Sequence, residues 1–377
     1  MKKRLLSAIL ALTMSCALFA GCQSNQDDTS KASDDAATTS SEAGEAGEQE
    51  GLNVAILLNG SLGDKAFFDS AANGADMLEK QLGCTTKVVE MTYDETKWEP
   101  TLLDFSEDPD YDVIVVGTWQ MSEKLQAIAP QYPDKKYIIF DSTVDYEQEG
   151  VENVYSIEYK QNESSYLAGA LAALTTKTGT IGFVGGMENT VIDDFMVGYI
   201  QGAKDTKADI KVLTAFVGNF SDSARAKELT IAQINQNADI IYQAASTAGL
   251  GVIDACLEKD KLCIGVDSDQ AEALLEKDPD KANVILTSAL KRVDLSIFQA
   301  IEADMNGTLE YGQRVEMGIA ENCVGLAKNE IYGEKVDKEV QATIDELEQK
   351  ILDGGIEVDT AFGKTTEEIQ AVKDSVQ

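Results

Sequence analysis

The chain has 377 residues, of which 31 are basic and 66 acidic, and its formal net charge is −35. This charge argues against nucleic acids and anionic membrane surfaces as partners, because both are themselves negatively charged. The sequence contains no histidine, which excludes a Ser-His-Asp triad and a histidine-ligated zinc site. The length is sufficient for two domains of ordinary size, each with its own core.

The first 21 residues have the pattern of an export signal. A basic segment at residues 2–4 precedes an apolar run at residues 5–20, which is too short and too weakly flanked to span a membrane. The run ends in Phe19-Ala20-Gly21-Cys22, which resembles a bacterial lipobox and implies cleavage before Cys22 and lipidation of its thiol. An ordinary signal peptide with an incidental cysteine is the alternative. Residues 22–50 contain almost no large apolar side chain, so we expect a disordered tether.

From residue 52 onward, short apolar strands alternate with amphipathic helices. The pattern predicts strands at 52–58, 87–91, 113–116, 136–140 and 153–157, and then again at 180–186, 210–215, 240–242, 262–266 and 284–288, with helical segments between them. Alternation of this kind is typical of parallel, doubly wound sheets. Two such arrays predict two similar lobes. A helical face formed by Val340, Ile344, Leu347 and Ile351 predicts that the tail also packs on the globule.

Polar residues follow several of these strands directly. Asp267 follows Ile264-Gly265-Val266, and Asp141 follows Ile138-Ile139-Phe140. Ligands of open parallel sheets bind at the carboxyl ends of the strands, so we expect these loops to form one binding rim. Asp267 is the strongest candidate contact, because a carboxylate at the end of a buried strand has few structural roles.

The predicted rim loops contain acceptors, one cation and several aromatic rings: Asp64, Phe67, Phe68, Trp119, Asp141, Ser246, Thr247, Gly249, Asp267, Asp269 and Lys291. Carboxylates can accept hydrogen bonds from hydroxyl and ring N–H groups, and aromatic side chains stack on flat rings. The set suits a small neutral polyhydroxy or heterocyclic ligand.

Several of these residues also have structural interpretations. Phe67 lies on a helical core stripe with Ala71, Gly74 and Leu78, whereas Phe68 points off it. Asp141 and Asp269 are candidate turn caps, Trp119 a surface aromatic, and Lys291 a solvated residue at a helix start.

No motif for covalent, metal or cofactor chemistry is found. Gly179, Gly182 and Gly185 lie in and around a strand, unlike a dinucleotide-binding turn, and no P-loop or G-x-S-x-G motif occurs. We therefore expect neither a metal nor a cofactor, and a protein that is not an enzyme. Cys256 and Cys263 are the pair that would form a disulfide after export, although buried free thiols are favoured.

Several motifs together resemble the basic membrane protein (BMP) family. They are Asp64-Lys65-Ala66-Phe67 with Gly74, Ser165-Tyr166-Leu167-Ala168-Gly169, Ile181-Gly182-Phe183-Val184-Gly185-Gly186, Gly198, Gly202-Ala203-Lys204, Ile264-Gly265-Val266-Asp267-Ser268-Asp269-Gln270, and Leu286-Thr287-Ser288 with Lys291. The family consists of lipoproteins that serve as substrate-binding components of ABC importers, typically for purine and other nucleosides. The resemblance extends from the first strand to the tail.

The resemblance implies an α/β fold of the type I periplasmic-binding-protein kind, in which a three-segment hinge joins two Rossmann-like lobes with parallel sheets. We expect an N-terminal lobe of residues 51–157 plus about 287–320. The C-terminal lobe then contains residues 158–286 plus about 321–377.

The resemblance also implies roles for individual residues. Asp64 and Phe67 match contacts of the family's first loop, with the aromatic ring stacking on the base. Asp141 matches a polar contact at a strand end, and Gly249 lies in a loop that faces the ligand. Asp267 and Lys291 match residues that hold the ribose hydroxyls. The family often has Asn after the Phe, where this chain has Phe68, which leaves another base, another binding register or a sugar as alternatives.

The implied function is capture of a small ligand, a nucleoside, by a monomer that is lipid-anchored on the extracytoplasmic face of the cell membrane. The implied partners are an ABC permease and its ATPase subunits. A ligand sensor of the same fold that signals to a membrane receptor is the alternative. An exported enzyme such as a nucleoside hydrolase is disfavoured, because histidine and nucleophile motifs are absent from the sequence.

Overall fold

The computed structural model describes residues 51–377 of the chain. The first half contains β1 (Asn53–Leu58), α1 (Phe67–Met77), β2 (Thr85–Glu90), α2 (Glu95–Glu107), β3 (Val113–Gly117), α3 (Trp119–Ile128), β4 (Lys136–Phe140) and β5 (Val154–Tyr159). The next segment contains α4 (Gln161–Thr175), β6 (Thr180–Gly185), α5 (Thr190–Thr206), β7 (Lys211–Phe216), α6 (Ser223–Ile234), β8 (Ile240–Ala244), α7 (Leu250–Lys259), β9 (Leu262–Asp267), α8 (Gln270–Leu275), α9 (Pro279–Val284) and β10 (Ile285–Lys291). The last segment contains α10 (Val293–Met305), β11 (Gln313–Met317), β12 (Val324–Leu326), α11 (Glu330–Lys335), α12 (Lys338–Leu352) and α13 (Thr366–Asp374).

The described strands form two six-stranded sheets. The first has the order β11-β5-β4-β3-β1-β2 and the second β12-β10-β9-β8-β6-β7. The strand pairs are parallel except β10 with β12, which are antiparallel. Strands β3 and β8 are buried along their whole length, as expected where helices cover both faces of a parallel sheet. The predicted α/β fold with two parallel sheets is confirmed. We call each sheet with its helices a lobe.

The chain passes between the two sheets three times: after Tyr159, after Lys291 and after Met317. Backbone hydrogen bonds join these crossings to one another. The amide of Lys160 donates to the carbonyl of Met317 at 2.9 Å, and the amide of Arg292 donates to the carbonyl of Cys323 at 2.7 Å. The expected boundary near residue 287 falls inside β10, so the chain leaves the second sheet a few residues later. Within the described part, no helix is both long and apolar enough to cross a membrane.

Helices α4 and α5 pack very closely behind the second sheet, and glycines permit this approach. A side-chain carbon at Gly169 would lie 2.0 Å from the carbonyl oxygen of Tyr199, and one at Gly202 would lie 1.9 Å from that of Tyr166. Both positions therefore require glycine. At the amino end of α5, Ile192 packs on the end of β6, where a side-chain carbon at Gly185 would lie 2.7 Å from Ile192 Cγ2.

Candidate functional site

A cavity with an empty volume of about 590 Å³, its mouth included, lies between the carboxyl ends of the two sheets. Its walls come from both lobes and combine aromatic, aliphatic and polar side chains: Asn59, Phe67, Phe68, Tyr93, Thr118, Trp119, Gln120, Asp141, Asn189, Val191, Ile192, Phe195, Phe220, Ala244, Ser246, Val266, Asp267 and Lys291. Seven of the eleven rim residues that the sequence indicated are among them, and the other four, Asp64, Thr247, Gly249 and Asp269, are not.

Four residues at the ends of strands have positive backbone φ angles, which favour glycine. The φ angles are 71° at Thr118, 61° at Asp141, 48° at Ser246 and 63° at Asp267. A side chain other than glycine in this region costs on the order of 1 kcal/mol. Because all four residues line one cavity, we interpret this strain as a consequence of turning their side chains toward a ligand.

Asp267 has an unused hydrogen-bond acceptor. Its side chain is buried, and its Oδ1 accepts no hydrogen bond within the described part of the chain. The nearest cation, Lys291 Nζ, lies 3.8 Å from this oxygen. Burial raises the pKa of Asp267 to about 7; the charge of Lys291 opposes this shift, and the charges of Asp141 and Asp64 add to it.

The residue that caps the following helix is Asp269, and Asp267 makes no such bond. Asp269 accepts from the backbone amide of Glu272 at 3.1 Å, as an N-cap residue does. Its two carboxylate oxygens also accept from Asn329 Nδ2, at 2.8 and 3.0 Å. Asp269 is therefore a structural cap, as one interpretation of the sequence proposed, and the carboxylate of Asp267 stays available.

Lys291 joins the two lobes inside the cavity. Its Nζ donates to Asp141 Oδ1 at 2.8 Å, and both side chains are buried. Burial raises the pKa of Asp141, and the charge of Lys291 opposes this shift. The ammonium also lies 4.7 Å from the ring centre of Phe67 and 4.9 Å from that of Phe195. Lys291 is thus an interior residue rather than a solvated one.

Aromatic rings cover much of the first lobe's side of the cavity. Phe67 and Phe68 are both buried, and their ring centres are 5.1 Å apart in an edge-to-face arrangement. Phe68 also packs on the loop after β1, since a side-chain carbon at Gly60 would lie 2.0 Å from its ring. Trp119 is 46% exposed although it lines the cavity, so it lies at the mouth.

Asp64 is fully buried, and its carboxylate is saturated by donors from the protein. Oδ1 accepts from the amides of Ala66 and Asp69 at 3.0 and 3.1 Å. Oδ2 accepts from the amide of Phe68 at 3.1 Å and from Ser246 Oγ, which belongs to the other lobe, at 2.9 Å. Burial raises the pKa of Asp64, and these hydrogen bonds oppose the shift.

Two further hydrogen bonds cross between the lobes near Asp64. Ser268 Oγ donates to the carbonyl oxygen of Ala66 at 2.9 Å, and the hydroxyl oxygens of Tyr93 and Thr247 are 3.3 Å apart. Together with the bonds from Ser246 and Lys291, they hold the lobes in contact around the cavity.

Gly249 supports the site from outside the cavity. It precedes α7, and a side-chain carbon there would lie 2.0 Å from Gln243 Oε1. Gln243 in turn donates to Gln270 Oε1 at 2.7 Å, which ties the ends of β8 and β9 together. Glycine is thus required to accommodate this amide network.

Sequence reasoning missed several residues of the cavity wall. Asn59 directly follows β1, as Asp141 directly follows β4, although asparagine before glycine is also typical of a turn. The strand-end signal would have identified it. Phe195 and Phe220 carried no comparable signal, because an aromatic residue within a helical stripe or a loop is as common in a core as in a site.

Nothing in the described residues forms a metal centre, since no three carboxylate or thiol side chains converge there. Cys256 and Cys263 are both buried and are free thiols in the structure.

Comparisons with known proteins agree with this architecture. A family model described as "ABC transporter substrate-binding protein PnrA-like" (Bmp) matches residues 52–361. The chain is 30% identical over 368 residues to the "ABC transporter nucleoside-binding protein BmpA" of Lactococcus lactis subsp. cremoris, a match covering 93% of this chain and 99% of that one. It is 31% identical over 306 residues to "Basic membrane protein A" of Borreliella burgdorferi, covering 79% and 85% of the two chains. The crystal structure of an ABC transporter solute-binding protein from Aeropyrum pernix K1 has the same fold, with a TM-score of 0.73, 24% identity, and coverage of 86% of this chain and 99% of that one.

Proposed function

Because the chain belongs to the Bmp family of PnrA-like ABC transporter substrate-binding proteins, we propose that it captures a nucleoside, with a purine nucleoside as the leading candidate, and delivers it to an ABC permease with its ATPase. The observation that carries this proposal is the unpaired Oδ1 of Asp267 in a buried, aromatic-lined cavity. A nucleoside has hydroxyl groups that can donate to this oxygen and a flat base that can stack on the rings.

In the proposed complex the ribose lies against the second lobe. Its hydroxyls donate to Asp267, and Lys291 donates to a ribose oxygen while keeping its bond to Asp141. The base stacks on Phe67, with Phe68 supporting that ring at its edge, and Trp119 covers the mouth. Ser246 acts indirectly, through its hydrogen bond to Asp64. Gly249 also acts indirectly, because it leaves room for the Gln243 side chain behind the loop.

The three crossings between the sheets act in this proposal as the hinge. Opening separates Ser246 from Asp64 and Lys291 from Asp141, which are bonds between lobes. A bound nucleoside supplies hydrogen bonds in place of the water that these groups lose when the lobes close, so it stabilises the closed form. The closed form is the one that the permease receives.

A thermal-shift screen of nucleosides, free bases and sugars on the purified chain lacking the export signal tests this function. A ligand at 100 times its Kd stabilises the folded form by about 2.7 kcal/mol. We expect nucleosides to raise Tm and the matching free sugars and bases to leave it nearly unchanged. A sugar that raises Tm while every nucleoside fails to do so would contradict the nucleoside assignment.

We also propose that the protein is anchored by a lipid on Cys22 at the extracytoplasmic face of the cell membrane and acts as a monomer. Cys22 and the tether to residue 50 lie outside the described residues, and the support is the lipobox-like sequence. Cys22→Ala should move the protein from the membrane fraction to the soluble fraction and leave nucleoside affinity unchanged. A Cys22→Ala protein that stays with the membranes would overturn the anchor.

A further inference from the structure

Asn59 carries a second unused acceptor in the same cavity. Its side chain is 1% exposed, and its Oδ1 has no hydrogen-bond partner among the residues that the structure describes. Asn59 lines the cavity directly after β1. A buried carbonyl oxygen without a donor is unfavourable, so a ligand that supplies one gains affinity.

The nitrogen of the same amide is already engaged. Asn59 Nδ2 donates to Thr118 Oγ1 at 2.7 Å and to Gln120 Oε1 at 3.3 Å. A primary amide has two N–H donors, so both are used. Asn59 therefore has only its oxygen left to offer to a ligand.

Thr118 is used in an unusual way. It is the N-cap residue of α3, a position where threonine commonly accepts from a backbone amide of the first turn, but here its side chain makes no capping bond. The backbone N–H of Thr118 donates to the carbonyl oxygen of Phe140 at 2.9 Å. The φ angle of 71° is strained for a β-branched residue. The hydroxyl oxygen of Thr118 thus accepts from Asn59 and not from the first turn of α3.

We propose that Asn59 reads the base of the ligand and that Thr118 and Gln120 are positioning residues, which turn its amide so that only the oxygen faces the cavity. This inference rests on the proposed nucleoside-binding function. It follows that the edge of the base that meets Asn59 carries an N–H donor, such as the 6-amino group of adenine, the N1–H of hypoxanthine or the N3–H of uracil.

Three pairs of nucleosides test the inference, because the second member of each lacks the donor of the first. They are adenosine and purine riboside, inosine and 6-methoxypurine riboside, and uridine and 3-methyluridine. For the parent that the wild-type chain binds most tightly, we expect loss of the donor to weaken binding by about 10- to 100-fold, since Asn59 Oδ1 is left unpaired. Isothermal titration calorimetry gives both values of Kd.

The positioning role is tested with Thr118→Val combined with Gln120→Met, which removes both acceptors at nearly constant size. The amide can then rotate and present its N–H groups, so we expect the ratio of the two Kd values to fall toward one. The matched control is Thr118→Ser combined with Gln120→Glu, which keeps an acceptor at both positions and should keep the ratio. A purely structural role for Thr118 and Gln120 would weaken binding of both nucleosides equally and leave the ratio unchanged.

The outcomes separate the inference from the function on which it rests. If a parent nucleoside binds and its partner without the donor binds equally well to the wild-type chain, the assignment of Asn59 is overturned and the nucleoside function stands. A ratio that the Val and Met changes do not alter overturns the positioning role. If no nucleoside binds, neither these three parents nor any other in the thermal-shift screen, the nucleoside function itself falls, and this inference falls with it.

Discussion

The site contains two buried aspartates whose carboxylates are satisfied in opposite ways. Asp64, on the first lobe, accepts three backbone amides and a hydroxyl from the second lobe. Asp267, on the second lobe, has one oxygen without a donor and a cation 3.8 Å away. Burial alone therefore does not distinguish a ligand contact from a structural acid. The number of hydrogen bonds still unfilled does.

The two environments also differ electrostatically. Burial raises the pKa of both carboxyl groups, but three backbone amides and a hydroxyl oppose the shift at Asp64. At Asp267 the opposing contribution comes from Lys291, and Asp141 and Asp64 add to the increase. The comparison predicts that Asp64 acts on stability and Asp267 on ligand binding.

The largest effect is expected for Asp267→Asn on nucleoside affinity. The amide keeps the shape and one acceptor but loses the charge, so Kd should rise by roughly 30-fold, equivalent to about 2 kcal/mol. Tm of the ligand-free protein should change little, because asparagine tolerates the left-handed conformation of this residue. Calorimetry and a thermal melt on the same preparation measure both quantities.

Asp269→Asn is the matched control for this change, since Asp269 caps α8 and lies outside the cavity lining. It should lower Tm slightly and leave Kd within a few-fold of wild type. If Asp267→Asn behaved like this control, with unchanged affinity and lower stability, Asp267 would be a structural residue.

The second prediction concerns Asp64→Ala and stability. The change leaves three buried backbone amides and the Ser246 hydroxyl without their acceptor, which should cost on the order of 2–4 kcal/mol. We expect Tm of the ligand-free protein to fall by about 3–6 °C, with a change in nucleoside affinity smaller than that for Asp267→Asn. A large loss of affinity with normal Tm would reverse the roles of the two aspartates.

The third prediction is a pH dependence of affinity that Asp267 controls. Its pKa of about 7 lies above the ordinary value of 3.8, so the free folded protein holds a proton that the unfolded chain has already lost. The stability from this group is therefore fully present below about pH 4 and is lost as the pH rises through about 7. Ligand hydroxyls favour the ionised carboxylate, so binding should release this proton.

Nucleoside affinity should accordingly rise up to about tenfold per pH unit below pH 7 and level off above it. Titrations at pH 7 in buffers of different ionisation enthalpy should detect release of a fraction of one proton. Asp267→Asn should remove both the slope and the proton release. A slope that persists in Asp267→Asn would assign the titration to another group, and Asp141 would be the first to test because it faces the same ammonium.

The sequence predicted the alternating strands and the polar residues that follow them, because both depend on local hydrophobic patterns. Strands β11 and β12 were missed, since β11 (Gln313–Met317) is mostly polar and β12 (Val324–Leu326) is three residues long. Each joins a sheet whose other strands lie far away in sequence, which no local pattern indicates.

The division of roles between Asp64 and Asp267 also required the structure. Asp64 lies just before α1, where an acid suits the start of a helix. Its bond to Ser246 joins residues 182 positions apart, and such a contact has no signal in one sequence. Conversely, the strand-end position of Asp267 was visible in the sequence, but the absence of a capping bond was not.

The smallest predicted effect, that of Ser246→Ala, isolates the bond between the lobes from the rest of the Asp64 environment. Asp64 keeps its three backbone donors in this variant, so Tm of the ligand-free protein should stay within about 2 °C of wild type. The closed form loses one buried hydrogen bond to a charged acceptor, worth about 1.5 kcal/mol, so Kd should rise by roughly tenfold. Because this bond forms only when the lobes meet, the change should appear in the dissociation rate measured by stopped flow, with the association rate nearly constant.

Thr247→Val is the control, since it removes the longer, exposed contact with Tyr93 and should have a smaller effect. Equal dissociation rates for Ser246→Ala and wild type would mean that Asp64 stabilises its own loop and takes no part in closure.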